Sequence, residues 1–243
     1  MLDLRLELAR VDHEKCVEAL LPQLVEHCAA KAAPNELDRL LGALGPDAVP
    51  AARAMLGGMD TDEKDRLVVW LVAAHEERMR NSANRHLAEL TGQPIIRVGR
   101  LAALDRPGSR LALQARQVDI DYPALLKSPL VEEGIERIGA ENGVLKGAAR
   151  LALQMGAHLS PENLEKQGLL LLNAGRVKQR LMAVMQEAVC QAGLDVTVED
   201  MLVERSAGVP DEPESDADAR AGMAAFLESL AARARKLREE EAK

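Results

Sequence analysis

Few residues of this chain have the types and spacing to carry chemistry, and the most suggestive are two carboxylates, Asp119 and Asp121. At i and i+2 on a strand they point to the same side, where they could hold a magnesium ion or serve as an acid/base pair. Glu199 or Asp200, late in the chain, would supply a third ligand for a metal-dependent hydrolase of this kind. Val118, Ile120 and Tyr122 occupy the other side, so an ordinary strand with a wet outer face produces the same alternation without a site.

A second group, His13, Cys16, His27 and Cys28, has the residue types that bind zinc. Its spacing argues against one ion: on a single helix His13 and Cys28 stand about 22 Å apart at 1.5 Å per residue. Cys28 also belongs to an apolar stripe, where a free cysteine acts as a small core residue. His75-Glu76-Glu77-Arg78-Met79 opens like a His-Glu-x-x-His metalloprotease helix, but Met79 stands where the second imidazole is required. A solvated helix face with His75 at its border accounts for the run. Neither His86 nor His158 has a context that singles it out.

Other chemistries fail on what they require. The chain has no Gly-x-Ser-x-Gly nucleophile elbow, and Cys190 lies among Val and Ala with no motif around it. Gly134, Gly139, Gly143 and Gly147 lack the Lys-Ser/Thr of a phosphate loop, and Gly143 and Gly147, four apart, read more simply as a close helix contact. No catalytic, cofactor-binding or metal-binding residue is therefore assigned, and no cofactor is expected.

Composition narrows the classes further. Trp70, Tyr122 and Phe226 are the only aromatic residues of 243, so the core must be aliphatic, and the abundant alanine suits closely packed helices. The net charge of -8, with both signs interspersed, gives no nucleic-acid footprint, and the scarcity of aromatics removes the platform on which single strands stack. The basic run Arg176, Lys178 and Arg180 reads as a solvated face. Three widely spaced cysteines and no secretory leader point to a reducing cytoplasm. No stretch approaches the roughly 18 apolar residues of a membrane span. Leu145 to Leu159 has the pattern of a membrane-surface helix, but burial inside the bundle explains the same residues and needs no lipid.

The elements that must position these residues follow from periodicity. Leu2, Leu4, Leu6 and Leu8 alternate with Asp3, Arg5 and Glu7, the pattern of a half-buried strand over residues 2–11. Asp12 stands as a helix N-cap before Val17, Leu20, Leu21, Leu24 and Cys28 at helical spacing, with Pro22 expected to kink or restart the helix. Short helices are predicted over 35–44 and 48–56. Ala43 to Pro50, continuing to Asp60, resembles one unit of a HEAT-type helical repeat; no second copy follows at the expected period, which argues against a solenoid. Asp60 with Glu63 forms a capping box opening one long helix to about Leu90, along which the apolar stripe shifts from Leu67, Trp70, Leu71 and Ala74 to Met79, Ala83, Leu87 and Leu90.

Pro94 to Tyr122 carries the clearest folding instruction, two apolar runs flanking Arg106-Pro107-Gly108-Ser109, which predicts a β-hairpin. Short helices interrupted near Glu141 to Gly143 follow. Ser160-Pro161 starts another helix, and one more covers 176–191. Leu194, Val196 and Val198 alternate with polar residues, predicting a strand over 194–204. The fold class is thus α+β and predominantly helical: a helical bundle packed on a small, mostly antiparallel sheet built from hairpin 94–122 and the strands near 2–11 and 194–204.

Residues 1–205 are read as one domain, with 12–92 a candidate helical subdomain. Residues 206–219 hold five carboxylates and no basic residue and read as a flexible acidic linker. Residues 220–243 form an amphipathic helix with Met223, Phe226, Leu227, Leu230 and Leu237 on its apolar face. The missing catalytic set and this tethered stripe together point to a non-enzymatic intracellular interaction or scaffold protein. Its partner would be a second copy or another protein's groove; docking on the chain's own body is the competing reading. The alternative function is the hydrolase built on Asp119 and Asp121.

Overall fold

The computed structural model describes residues 2–104, 111–141, 143–144, 146–147, 150–151, 160–206 and 213–241. Its sheet consists of β1 (Leu2–Val11), β2 (Ile96–Arg97), β3 (Arg100–Leu104), β4 (Ala112–Ile120) and β5 (Val196–Arg205). All pairings are antiparallel, and the order is β2-β4-β1-β5 with β3 also on β4. β1 is therefore central. Leu2, Leu4, Leu6 and Leu8 are buried on its inner face, while Asp3, Arg5 and Glu7 are half-exposed on the outer one. The expected hairpin is present as β3 and β4, paired from Arg100↔Arg116 to Leu104↔Ala112; its turn at 106–109 lies outside the described residues.

The first hairpin arm is split in two because β4 carries a bulge. Its register against β1 jumps from Leu2↔Val118 to Leu4↔Ala115, so two residues of β4 oppose one of β1, and Gln117 has a φ of 54°. Opposite this bulge the edge strand breaks at Val98-Gly99. A Cβ on Gly99 would lie 2.9 Å from the Gln117 Cβ and 3.0 Å from its carbonyl oxygen, so only glycine fits the approach. Asn84 takes both backbone groups of Val98: its Nδ2 donates to the carbonyl at 3.0 Å and its Oδ1 accepts the amide at 2.7 Å.

The other edge is closed in the same manner. Asn173 Nδ2 donates to the Val203 carbonyl at 2.9 Å and Asn173 Oδ1 accepts the Val203 amide at 3.1 Å, while the Val198 amide donates to Gln186 Oε1 at 2.9 Å. Side chains thus occupy backbone groups that a further strand would use.

The helices are α1 (His13–Ala30), α2 (Glu36–Leu44), α3 (Ala48–Leu56), α4 (Thr61–Ala74), α5 (Glu76–Thr91), α6 (Tyr122–Leu125), α7 (Pro129–Glu141), α8 (Pro161–Leu172), α9 (Gly175–Gln191) and α10 (Pro213–Glu241). The backbone of 143–144, 146–147 and 150–151 is also helical. α5 packs on β2 and β3, and α9 on β5. Capping follows the sequence: Asp12 accepts the Lys15 amide, and Asn35 and Asp60 each form a full capping box.

Three local expectations are corrected. Pro22 does not restart α1, which runs unbroken through it. The long helix expected from Asp60 to Leu90 is two helices meeting at His75, whose Nε2–H donates to the Leu20 carbonyl at 2.9 Å. The turn explains the shifted stripe: Leu67, Val68, Leu71 and Val72 are buried before it, and Met79, Ala83 and Leu87 after it. Gly143 and Gly147 are not a close helix contact, since a Cβ at either would meet nothing within 4 Å. Most of Leu145 to Leu159 lies outside the described residues; Leu151, within it, is 57% exposed rather than buried.

Candidate interaction site beneath the C-terminal helix

The apolar stripe of α10 packs on α2, α3 and α4 of the same chain. Phe226, Leu227, Leu230, Ala231 and Ala234 are buried, Leu230 completely, and Leu237 is partly buried against the same core. These positions recur at helical spacing, so one stripe contacts the body along successive turns. The Phe226 ring sits 5.8 Å from that of Trp70 on α4, tilted by 49°, within the range of favourable aromatic contacts. One turn earlier Gly222 lies so close to the indole that a Cβ there would be 2.7 Å from Trp70 Cζ2. Met223, also assigned to the stripe, falls outside the described side chains.

Polar contacts fix the far end. Arg238 Nε donates to Asp47 Oδ2, and its Nη2 donates to the Leu44 carbonyl at 3.3 Å. Leu44 is the last residue of α2, where helical carbonyls lack partners and a cation is favoured. Periodicity alone puts Arg238 on the polar face of the helix, and Ala231 and Ala234 do not mark a stripe because they are small, so none of the three was assigned from the sequence. Their spacing from Phe226 and Leu230 was the available signal. α10 begins at Pro213, inside the stretch expected to be linker; residues 207–212 of that stretch lie outside the described residues.

The carboxylates of the hydrolase reading are not brought together. Asp121 caps α6 by accepting the Ala124 amide at 3.0 Å, and Asp119 pairs in register with Arg97 at the exposed edge. Asp200 binds Lys178 Nζ at 2.5 Å, which holds its pKa below the usual carboxylate value. Central β1 separates the strands, and the register places Val118 and Arg205 beside Leu2 but Asp200 beside Glu7. Asp119 and Asp200 thus lie at opposite ends of the sheet, two strands apart.

The candidate zinc residues are equally dispersed. His13 Nε2 meets Asp65 Oδ1 at 2.7 Å, Cys16 Sγ donates to the Asp195 carbonyl at 3.7 Å, Cys28 Sγ donates to Asp38 Oδ1 at 3.4 Å, and His27 is exposed. Burial pushes the Cys16 thiol up to about 12 and that of Cys28 to about 11, the Asp38 carboxylate adding to the second. Both are core thiols. Among the described residues no three His, Cys, Asp or Glu side chains gather as metal ligands. His86 is buried, its Nδ1–H donating to the Ser82 carbonyl at 2.8 Å, and His158 lies outside the described residues. The basic run on α9 is answered by carboxylates, Lys178 by Asp200 and Arg180 by Glu133 at 3.7 Å.

Among the described residues no helix is long and apolar enough to cross a membrane. No family model matches the chain, and comparison with curated proteins and with solved structures gives no match.

Proposed function

We propose that this chain is a non-enzymatic interaction protein in which α10 and the groove between α2, α3 and α4 form an exchangeable pair. The observation that carries this reading is the character of the contact: an apolar stripe with an aromatic anchor and one Arg clamp. Amphipathic helices in apolar grooves are a common recognition mode, and an intramolecular helix can be replaced by an identical one from a second copy. A second copy is the occupant proposed here, and a partner's helix of similar pattern would compete for the same groove. A reducing, cytoplasmic setting fits the unpaired thiols Cys16, Cys28 and Cys190.

The test mixes donor-labelled and acceptor-labelled full-length chains and follows energy transfer together with mass in solution across concentration. Exchange predicts transfer that rises with concentration alongside a dimer, both abolished when the chain is truncated after Ser206. A monomer at every concentration, with partner capture unchanged by the truncation, would overturn the reading.

A further inference from the structure

On the side of the molecule formed by α1, the α4–α5 junction and the end of α9, a cleft of about 950 Å³ opens to the surface. Its walls carry His27 and His75 together with Arg78, Asn81, Arg85 and Gln191. Glu77 is the single carboxylate among the lining residues, an unusual balance in a chain whose net charge is -8. Arg78, Asn81 and Arg85 follow one another at i, i+3 and i+7, so they stand in a row along one face of α5, the Cα atoms of the two arginines separated by about 10 Å along the helix. Arg85 is oriented by a hydrogen bond to Gln191 Oε1 at 3.4 Å, and Arg78 forms no ion pair among the described residues.

The opposite wall adds His27 from α1. The charges of Arg78 and of His27 both act on His75, which shows that the three groups share one region of space. Burial, aided by these two neighbours and opposed by its bond to Leu20, holds His75 below the usual histidine value, and its Nε2–H donates to the Leu20 carbonyl. The cleft therefore presents two guanidinium groups and an amide, with Glu77 the one carboxylate among the lining residues to balance them. Guanidinium forks bind carboxylate and phosphate oxygens with two parallel bonds.

We propose that this cleft binds a small polyanion carrying carboxylate or phosphate groups at two points, Arg78 and Arg85 each holding one anionic group and Asn81 donating between them. The site is independent of the α10 groove and of the interaction reading. It accounts for residues that the sequence invites one to read as a failed zinc motif: position 78 serves as an anion contact, and Met79 is a core residue, fully buried.

The experiment titrates the full-length protein with tripolyphosphate and with citrate by calorimetry, the two probes separating phosphate from carboxylate as the ligand chemistry. At least one is expected to bind saturably at a single site. Arg78→Ala and Arg85→Ala should each weaken it by about tenfold or more, the usual cost of losing a charged hydrogen-bond partner. Glu77→Gln should tighten it, and Arg39→Ala, on the exposed face of α2, should leave it unchanged. All four positions are exposed, and far-UV circular dichroism checks that each variant is folded. Absence of saturable binding with both probes, or equal weakening by Arg39→Ala and Arg78→Ala, would overturn the proposal.

Discussion

Replacing Phe226 by alanine isolates the docking of α10 from the rest of the fold. The side chain is 7% exposed and its ring packs 5.8 Å from Trp70, so truncation removes both burial and an aromatic pair. Phe→Ala at such a site costs about 3–5 kcal/mol, of which about 0.5–1.5 kcal/mol belongs to the ring contact. If helix and body unfold together, even 3 kcal/mol lowers the melting temperature by roughly 6–12 °C, at about 2–4 °C per kcal/mol for a chain of this size. If α10 releases first, the loss appears as undocking while the body stays folded. Trp70 is the only tryptophan and lies under the contact, so its emission reports docking without a label. The variant should shift Trp70 emission to the red, raise amide exchange across 222–238, and leave exchange in β1 and β4 slow if release is local. Wild-type emission together with an unchanged unfolding midpoint would refute the packing argument.

Three further outcomes follow from features elsewhere. Gly99→Ala should destabilise the hairpin edge, because the new methyl must displace Gln117 backbone 3.0 Å away; a denaturant midpoint equal to wild type would show that the bulge yields freely. Asp38 accepts Lys31 Nζ at 2.7 Å and the Asn35 amide at 3.1 Å, and the Lys31 bond above all holds its pKa low. A depressed folded-state pKa means its contribution is present above the unfolded value of about 3.9 and is lost as pH falls through the lower folded one. The stability gap between wild type and Asp38→Asn should therefore close on acidification below about pH 4, and a gap independent of pH would contradict this. Of the three cysteines, exposed Cys190 should react with a thiol reagent in the native protein, and buried Cys16 and Cys28 only after unfolding; rapid native reaction of all three would show that the core opens readily.

Wherever local pattern and tertiary packing agreed, the fold was legible from the chain. Leu2 to Leu8 and Leu194 to Val198 alternate because one face of each strand meets the core, and the caps at Asp12, Asn35 and Asp60 act within a single turn. What escaped was decided across distance. His75 divides two helices through a bond to Leu20, a partner 55 positions away that no helical periodicity encodes. Gln117 adopts a positive φ that only the register with β1 and the glycine on the facing strand make comprehensible. The stripe of α10 was visible, whereas the surface it covers was not, because α2, α3 and α4 line one groove only after folding. Arg78 and Arg85 were hidden for a related reason: on paper they belong to a polar helix, and the wall carrying His27 comes from α1.

The central place of β1 has a consequence for biogenesis. Its inner-face leucines pair on one side with residues 112–118 and on the other with residues 196–205, so the segment synthesised earliest among the strands completes its hydrogen bonds last. At about 5–20 residues per second on the ribosome, β5 follows β1 by roughly 10–40 s. Throughout that interval an alternating strand with four leucines on one face has an unpaired edge. A nascent chain of this design needs shelter for Leu2 to Leu8, from α1 folding back over it or from a chaperone, until its C-terminal neighbour emerges.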